Sequence, residues 1–160
     1  MDLVDEIVKD WSIQRADIDC SGKAIICRML RAHSYYISSL EKALKAVSMA
    51  PNVFSVLVTI RRKGQKAEIN VKKIIDEVLF TSGAMSNLLN RLVDSGYISK
   101  RKDDNDARSI LVKLTSKGLK LIDKAMEIQA TCERKITNPL TANEKKQLVE
   151  LLRKIQPEEF

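Results

Sequence analysis

The sequence predicts a mainly α-helical protein that carries one small β-hairpin. Only 5 of the 160 residues are glycine and 3 are proline, too few for the turns of a β-sandwich or a large mixed sheet. Apolar residues recur at helical spacing along most of the chain, and a period of two appears only between Gly96 and Thr115. A chain of this length with 44% hydrophobic residues folds around a core as one small domain, with or without helical extensions.

Two helices are predicted in residues 1–50. Apolar residues from Leu3 to Trp11 have helical spacing and form a short first helix. From Lys23 to Val47 the apolar residues recur with alternating steps of four and three, which predicts a long helix with a continuous apolar seam. We assign residues 1–50 to these two N-terminal helices.

The middle of the chain restarts as an amphipathic helix. Pro51 and Asn52 interrupt the long helix, and the apolar spacing predicts a new helix from Val53 to Arg61 that stops near Gly64. We interpret residues 66–69 as one short edge strand.

Two compact helices joined by a tight polar turn come next. Asn70 is a suitable N-cap for a helix over residues 71–79, because its side-chain oxygen can accept from free N–H groups of the first turn. In the break that follows, Thr81 or Ser82 can cap a second helix over residues 84–94. This pattern is typical of a helix-turn-helix.

A β-hairpin with a charged tip follows the second helix. Residues 97–102 and 109–114 alternate in polarity on either side of the turn cluster at residues 103–106. A helix-turn-helix followed by such a hairpin is a winged helix, which places its second helix in the DNA major groove. We assign residues 51–115 to a winged helix-turn-helix DNA-binding domain.

The candidate DNA contacts follow from this arrangement. Small and polar side chains on the outer face of the second helix suit base edges, and cations beside the hairpin tip suit phosphates or a minor groove. The helix contributes Ser82, Gly83, Ala84, Ser86, Asn87, Asn90 and Arg91, and the hairpin contributes Lys100, Arg101, Lys102 and Arg108. Each cation alone is better explained as a solvated charge, and only its position favours DNA binding.

The spacing of apolar residues in residues 116–160 predicts two further helices. Thr115 can cap the first, and Thr141 with Glu144 forms a capping box for the last. Together with the long seam, the last helix has more apolar positions than one small winged helix can cover. The chain is therefore expected to form a two-fold homodimer through these C-terminal dimerisation helices and the long helix.

The net charge and cysteine usage limit the function classes. The formal net charge is +7, and because residues 1–19 carry −4, residues 20–160 carry +11, which favours an anionic partner. With a single histidine, His33, and dispersed cysteines, we expect neither a metal site nor a cofactor. No signal peptide or membrane span is evident, so we expect a cytoplasmic protein without a membrane partner.

Three stretches of the sequence resemble the MarR family of bacterial transcription regulators. They are residues 81–92, residues 96–98, and residues 106–115 with Gly118 three residues on, where an Asp-x-Arg wing ends in Leu-Thr. The likeness extends over essentially the whole chain. It implies a homodimeric, signal-responsive repressor that binds a pseudo-palindromic, double-stranded DNA operator. It also implies that the first helix of residues 1–50 is an extra helix and the second a dimerisation helix.

The resemblance also implies roles for individual residues. Arg108 would enter the minor groove, and Asp106 would brace the wing. The recognition-helix contacts would come from Ser82, Gly83, Ser86, Asn87 and Arg91.

The N-terminal extension resembles that of the urate-responsive branch of the family. Trp11 and Arg62 match ligand contacts of that branch, whereas Ser55 replaces an Asp and Leu88 replaces an Arg. We therefore expect a pocket for an anionic aromatic ligand between the dimer helices and the winged helix, lined by Trp11, Arg62 and Ser55. Its response to urate should be weaker, or another planar anion should bind. Alternatively, Trp11 simply packs the extra helix onto the body.

Other hypotheses concern Cys20 and the kind of partner. Cys20 precedes the long helix, and some MarR relatives sense oxidants with a cysteine there, although an unreactive small residue in a linker is the better explanation. A winged helix can also act as an interaction module without operator specificity. An enzyme is not supported, because the sequence has no nucleophile with a histidine base, no Gly-rich phosphate loop and no paired carboxylates that suggest a cleft.

Overall fold

The computed structural model describes residues 2–78, 82–104, 106 and 108–156. Within them the chain forms seven α-helices and a three-stranded sheet, which confirms the predicted mainly helical winged helix-turn-helix. The elements are α1 (Leu3–Gln14), α2 (Lys23–Leu44), α3 (Pro51–Arg62), β1 (Ile69–Asn70), α4 (Val71–Val78), α5 (Ser82–Asp94), β2 (Ile98–Lys102), β3 (Ile110–Leu114), α6 (Ser116–Thr137) and α7 (Ala142–Ile155). No single helix among the described residues is long and apolar enough to cross a bilayer.

The chain divides into two compact units between residues 40 and 41. In the first unit, charged side chains of α2 hold both ends of α1. Arg28 donates to Asp5 at 2.7 Å and to Asp2 at 3.0 Å, and these carboxylates also cap the first turn of α1. At the other end, the Lys23 ammonium lies 5.1 Å from the centroid of the Trp11 ring, a cation–π distance.

The second unit includes the connection to α3, where the predicted helix start at Val53 was wrong by two residues. The helix starts at Pro51 itself, because proline lacks only an N–H that the first helical position would leave without a partner. The break lies earlier, in a short 3-10 turn at Lys45–Val47 and at Ser48, whose φ is +50°. The long helix therefore ends as an α-helix at Leu44.

The three strands are antiparallel in the order β1-β3-β2, with β3 in the centre. Ile69 pairs with Val112, and Ile98 pairs with Leu114; all four side chains are buried. The predicted edge strand at residues 66–69 is displaced to Ile69–Asn70. Residues before it form a turn, in which Ala67 N donates to Gly64 O at 3.2 Å.

The helix-turn-helix differs from its prediction at the start of α5. This helix begins at Ser82, so Gly83 is helical instead of belonging to the break. Gly83 fits there because its φ is not positive and an added Cβ would meet nothing within 4 Å. The predicted helix end at Leu79, the break residue Phe80 and the proposed cap Thr81 lie outside the described residues.

The first turn of α6 lies directly against the loop that precedes β2. The predicted cap is confirmed, since Gly118 N donates to Thr115 Oγ1 at 3.0 Å, and this hydroxyl donates to Gly96 O at 2.6 Å. A Cβ on Gly118 would lie only 1.9 Å from the carbonyl oxygen of Tyr97. Glycine at this position therefore allows α6 to contact the winged helix.

Replacing Gly118 by Ala should destabilise the protein by about 1 to 3 kcal/mol, because the clash is with backbone and no rotamer relieves it. Urea unfolding followed by far-UV circular dichroism measures the change. Gly83→Ala is the matched control and should be neutral or stabilising by up to about 1 kcal/mol, since it fills open space on a helix. An unchanged unfolding midpoint for Gly118→Ala would contradict the close approach.

Candidate nucleic-acid interface

Helix α5 has one apolar face and one face of small and polar residues. Met85, Leu88, Leu89 and Leu92 are buried, as the periodicity predicts. The exposed residues are Gly83, Ala84, Ser86, Asn87, Asn90 and Arg91. For Ser82, only the backbone is described. The outer face can therefore approach the edges of base pairs without bulky apolar groups in the way.

Lys100 joins the wing to this outer face. Its ammonium donates to Asn90 Oδ1 at 2.7 Å, which links β2 to α5. Because an ammonium has three donors, Lys100 keeps two for phosphate oxygens. The sequence predicts that both residues lie on the outer surface, but their contact arises only from the packing of β2 against α5.

The Arg101 guanidinium forms ion pairs with two carboxylates, so little of its positive charge is left for an anionic partner. Its Nη2 donates to Glu68 at 2.6 Å, and its Nη1 donates to Asp104 at 2.9 Å. Lys113 also lies 3.3 Å from Glu68. Arg101 first, and then Lys113, hold the pKa of the Glu68 carboxyl below its usual range. The predicted cation cluster of the hairpin is therefore partly neutralised within the sheet.

Lys102 and Arg108 are exposed and form no ion pair with any residue that the structure describes. The backbone N–H of Arg108 donates to Asp106 Oδ1 at 3.0 Å. Ser109 Oγ donates to the other oxygen of the same carboxylate at 2.9 Å. Asp106 therefore holds the Arg108 backbone N–H and the Ser109 hydroxyl, and two cations remain available to an anionic partner.

The residues expected to bind a small ligand have contacts of their own. Trp11 is 45% exposed beneath the Lys23 ammonium in the first unit. In the second unit, Ser55 Oγ donates to Pro51 O at 3.0 Å, within the same helix. Arg62 forms an ion pair with Glu77.

The pair between Arg62 and Glu77 joins the end of α3 to α4. Lys63 Nζ lies 3.0 Å from the same carboxylate. Arg62 first, and then Lys63, lower the pKa of Glu77. The Glu77 carboxylate therefore stays ionised and accepts from the Arg62 guanidinium. An anionic ligand that binds Arg62 would have to displace it.

A groove of about 380 Å³ in the second unit was not foreseen from the sequence. The loop before α3 forms one side of this groove, and the C-terminal half of α5 forms another. Its polar lining residues include Asn52, Arg91 and Ser95, and its apolar lining residues include Leu88 and Leu121. Leu88 is only 2% exposed, and it stands where the urate-responsive pattern would place a cation.

Cys20 lines a separate cleft of about 350 Å³ within the first unit, between the end of α1 and the start of α2. Its thiol is half-buried. No three His, Cys, Asp or Glu side chains within the described parts of the chain are arranged to hold a metal ion.

Comparison with protein families gives a match over more than half of the chain. The model of the SarA/Rot transcriptional regulators matches residues 38–125. The HTH-type transcriptional regulator PecS of Dickeya dadantii is 27% identical over 153 residues, which are 96% of this chain and 92% of PecS. The multiple antibiotic resistance protein MarR of Salmonella typhimurium is 32% identical over 119 residues, covering 74% of this chain and 81% of MarR.

Solved structures show the same fold. The apo form of wild-type MarR from E. coli aligns with a TM-score of 0.70 and 27% identity, covering 81% of this chain and 93% of that one. A mutant of the same protein in complex with operator DNA aligns with a TM-score of 0.73 and 26% identity. This alignment covers 88% of the present chain and all of the other.

The contribution of Glu68 to stability should depend on pH. Because its folded pKa is lowered from about 4.5, its ion pairs stabilise the protein above that pH and are lost as the pH falls through the folded value. Glu68→Gln should therefore be less stable than wild type at neutral pH, and the difference should shrink in acid. Urea midpoints across this range measure it.

The control for this experiment is Glu127→Gln, which removes an equal charge from an exposed position on α6. A Glu68→Gln difference that stays constant from neutral to acidic pH would contradict the ion pairs.

Proposed function

Because this chain belongs to the MarR family of winged-helix transcriptional regulators, we propose that it binds a pseudo-palindromic operator as a homodimer and represses transcription until a signal releases it. One observation carries the proposal: the exposed polar face of α5 occurs together with the two available wing cations, Lys102 and Arg108. As a regulator of this kind it would act in the cytoplasm.

The outer face of α5 would lie in the major groove. Gly83 and Ser86 are small enough to let the helix axis come close to the bases. The Asn87 amide can donate to and accept from one adenine, and the Arg91 guanidinium can donate twice to one guanine. These are the side-chain types that distinguish base pairs in this groove.

The wing would contact the neighbouring minor groove and the phosphates. Arg108 is the candidate for the groove, because its side chain pairs with no carboxylate within the described residues and Asp106 holds its backbone. Lys102 and Lys100 would contact phosphates. Arg101 is a weaker candidate, since two carboxylates already accept its hydrogen bonds.

Apolar side chains left exposed in each unit support a homodimer. In the first unit they lie on α1 and α2, and include Leu3, Ile13, Ile25, Ile26, Leu30 and Tyr35. In the second unit they include Leu148, Leu151 and Ile155 of α7. A two-fold interface would cover the same surfaces on both chains. It would place the two α5 helices about one DNA turn apart.

Selection of random double-stranded DNA on the purified protein should yield two related inverted half-sites centred roughly 10 bp apart. On the selected DNA, Arg108→Ala should weaken binding by about 1 to 3 kcal/mol and relax the preference at the position contacted, whereas Lys102→Ala should weaken all sequences equally. Fluorescence anisotropy at fixed salt measures both affinities.

The control is a shuffled DNA of the same composition. Equal affinity for the selected and the shuffled DNA would indicate an interaction module without operator specificity. If a folded Arg108→Ala variant bound the selected DNA with unchanged affinity, the wing would not contribute to operator binding through Arg108.

We further propose that the releasing signal is a planar aromatic anion bound at Arg62. The supporting observation is the ion pair of Arg62 with Glu77, because Glu77 belongs to α4 of the helix-turn-helix. An anion that displaces Glu77 would break a link between α3 and α4. Such a ligand weakens DNA binding only if it prefers a conformation that binds DNA poorly.

Glu77→Gln should raise the affinity for urate or benzoate, and Arg62→Gln should lower it by about tenfold, the range of a hydrogen bond to a charged group. Isothermal titration calorimetry measures the affinities, and anisotropy measures release of the selected DNA. Lys124→Gln, which removes a cation from an exposed position on α6 away from Glu77, is the control. Equal binding by wild type and Arg62→Gln would place the ligand elsewhere.

A further inference from the structure

A continuous series of side-chain hydrogen bonds connects the start of α4 to the tip of the wing. Asn70 Oδ1 accepts from Lys72 N at 2.8 Å, and Asn70 Nδ2 donates to Ser109 Oγ at 3.0 Å. Ser109 Oγ then donates to Asp106 Oδ2 at 2.9 Å, and Asp106 Oδ1 accepts from Arg108 N at 3.0 Å. We call this series the Asn70 relay.

The relay has one possible direction. Lys72 N can only donate, so the Asn70 oxygen faces α4 and the Asn70 nitrogen faces the wing. The Ser109 hydroxyl accepts from this nitrogen and has one proton to give, which goes to Asp106. A carboxylate only accepts, so both of its partners must be donors. Removing the Asn70 nitrogen or the Ser109 hydroxyl therefore interrupts the series.

Within the described residues, backbone bonds also hold the wing tip. Asp106 and Arg108 are exposed, whereas Asn70 and Ser109 are half-buried beside the pairing of β1 with β3. Backbone bonds close the turn, from Ser109 N to Asp106 O at 2.8 Å and from Asp103 N to Ser109 O at 2.9 Å. Neither of these bonds fixes the Asp106 carboxylate, on which the Arg108 N–H depends.

We propose that Asn70 and Ser109 are positioning residues for Arg108, which hold its backbone in place for entry into the minor groove. This inference rests on the proposed function, in which Arg108 contacts DNA. A wing tip that is ordered before binding loses less conformational freedom when the complex forms, so the relay raises affinity without touching DNA. Because Asn70 also caps α4, the wing tip and the helix-turn-helix are held together.

Three substitutions separate the relay from general stability. Ser109→Ala interrupts it, and Ser109→Thr keeps the hydroxyl. Asn70→Ser keeps a good cap for α4 but loses the nitrogen donor. Ser99→Ala, which removes a hydroxyl from the adjacent strand β2, is the matched control.

Each variant is measured with Arg108 present and in an Arg108→Ala background, on the selected DNA. Ser109→Ala and Asn70→Ser should weaken binding about twofold to tenfold with Arg108 present, the range of one hydrogen bond, and should have no further effect without it. Ser109→Thr should bind as wild type does, and so should Ser99→Ala.

Amide hydrogen exchange of the free protein, followed by NMR, gives a readout that does not involve DNA. The Arg108 N–H should exchange about twofold to tenfold faster in Ser109→Ala and Asn70→Ser than in wild type. It should keep the wild-type rate in Ser109→Thr and Ser99→Ala.

Two results would overturn the positioning role while the proposed function stands. The first is an equal loss of affinity for Ser109→Ala in both backgrounds, and the second is an unchanged Arg108 exchange rate. If Arg108→Ala itself binds as wild type does, the proposed groove contact fails, and the positioning role fails with it.

Discussion

The central position of β3 in the sheet determines how the helix-turn-helix and the wing are placed. On one side β3 pairs with β1, and α4 begins at the residue directly after β1. On the other side it pairs with β2, which begins shortly after α5 ends. Because both helices adjoin strands of the same sheet, the register of these pairs sets the distance between α5 and the wing tip. A shift of one residue would also turn the buried Val112 towards solvent.

Local features of this arrangement are predictable from the sequence, and features that depend on the register are not. The caps at Asn70 and Thr115 and the buried stripe of α5 arise within a few residues, so residue types and spacing suffice. The contact of Glu68 with Arg101 spans 33 residues, and no local pattern indicates it. The sequence therefore predicts a basic wing but not which of its cations are neutralised.

This distribution of ion pairs separates two roles of positive charge. The net +11 of residues 20–160 would attract any polyanion over a long range and would contribute equally on every DNA sequence. Discrimination needs groups with defined geometry. By accepting from Arg101, Glu68 reduces the general attraction of the wing while it joins the loop before β1 to β2. This ion pair thus lowers the electrostatic affinity of the wing for DNA and makes the wing more ordered.

Helix α4 is the element through which a signal at Arg62 would reach DNA. Its C-terminal turn carries Glu77, which pairs with Arg62 and Lys63 of the segment that ends α3. Its N-terminus is capped by Asn70, from which the relay continues to the wing tip. The described part of α4 spans eight residues, and over so short a distance a helix moves nearly as a rigid body. Displacement of Glu77 by an anion would therefore also disturb Asn70. A ligand bound far from the DNA would then alter the order of Arg108 and lower the affinity for the operator. By linkage, bound operator would lower the affinity for the ligand by the same factor.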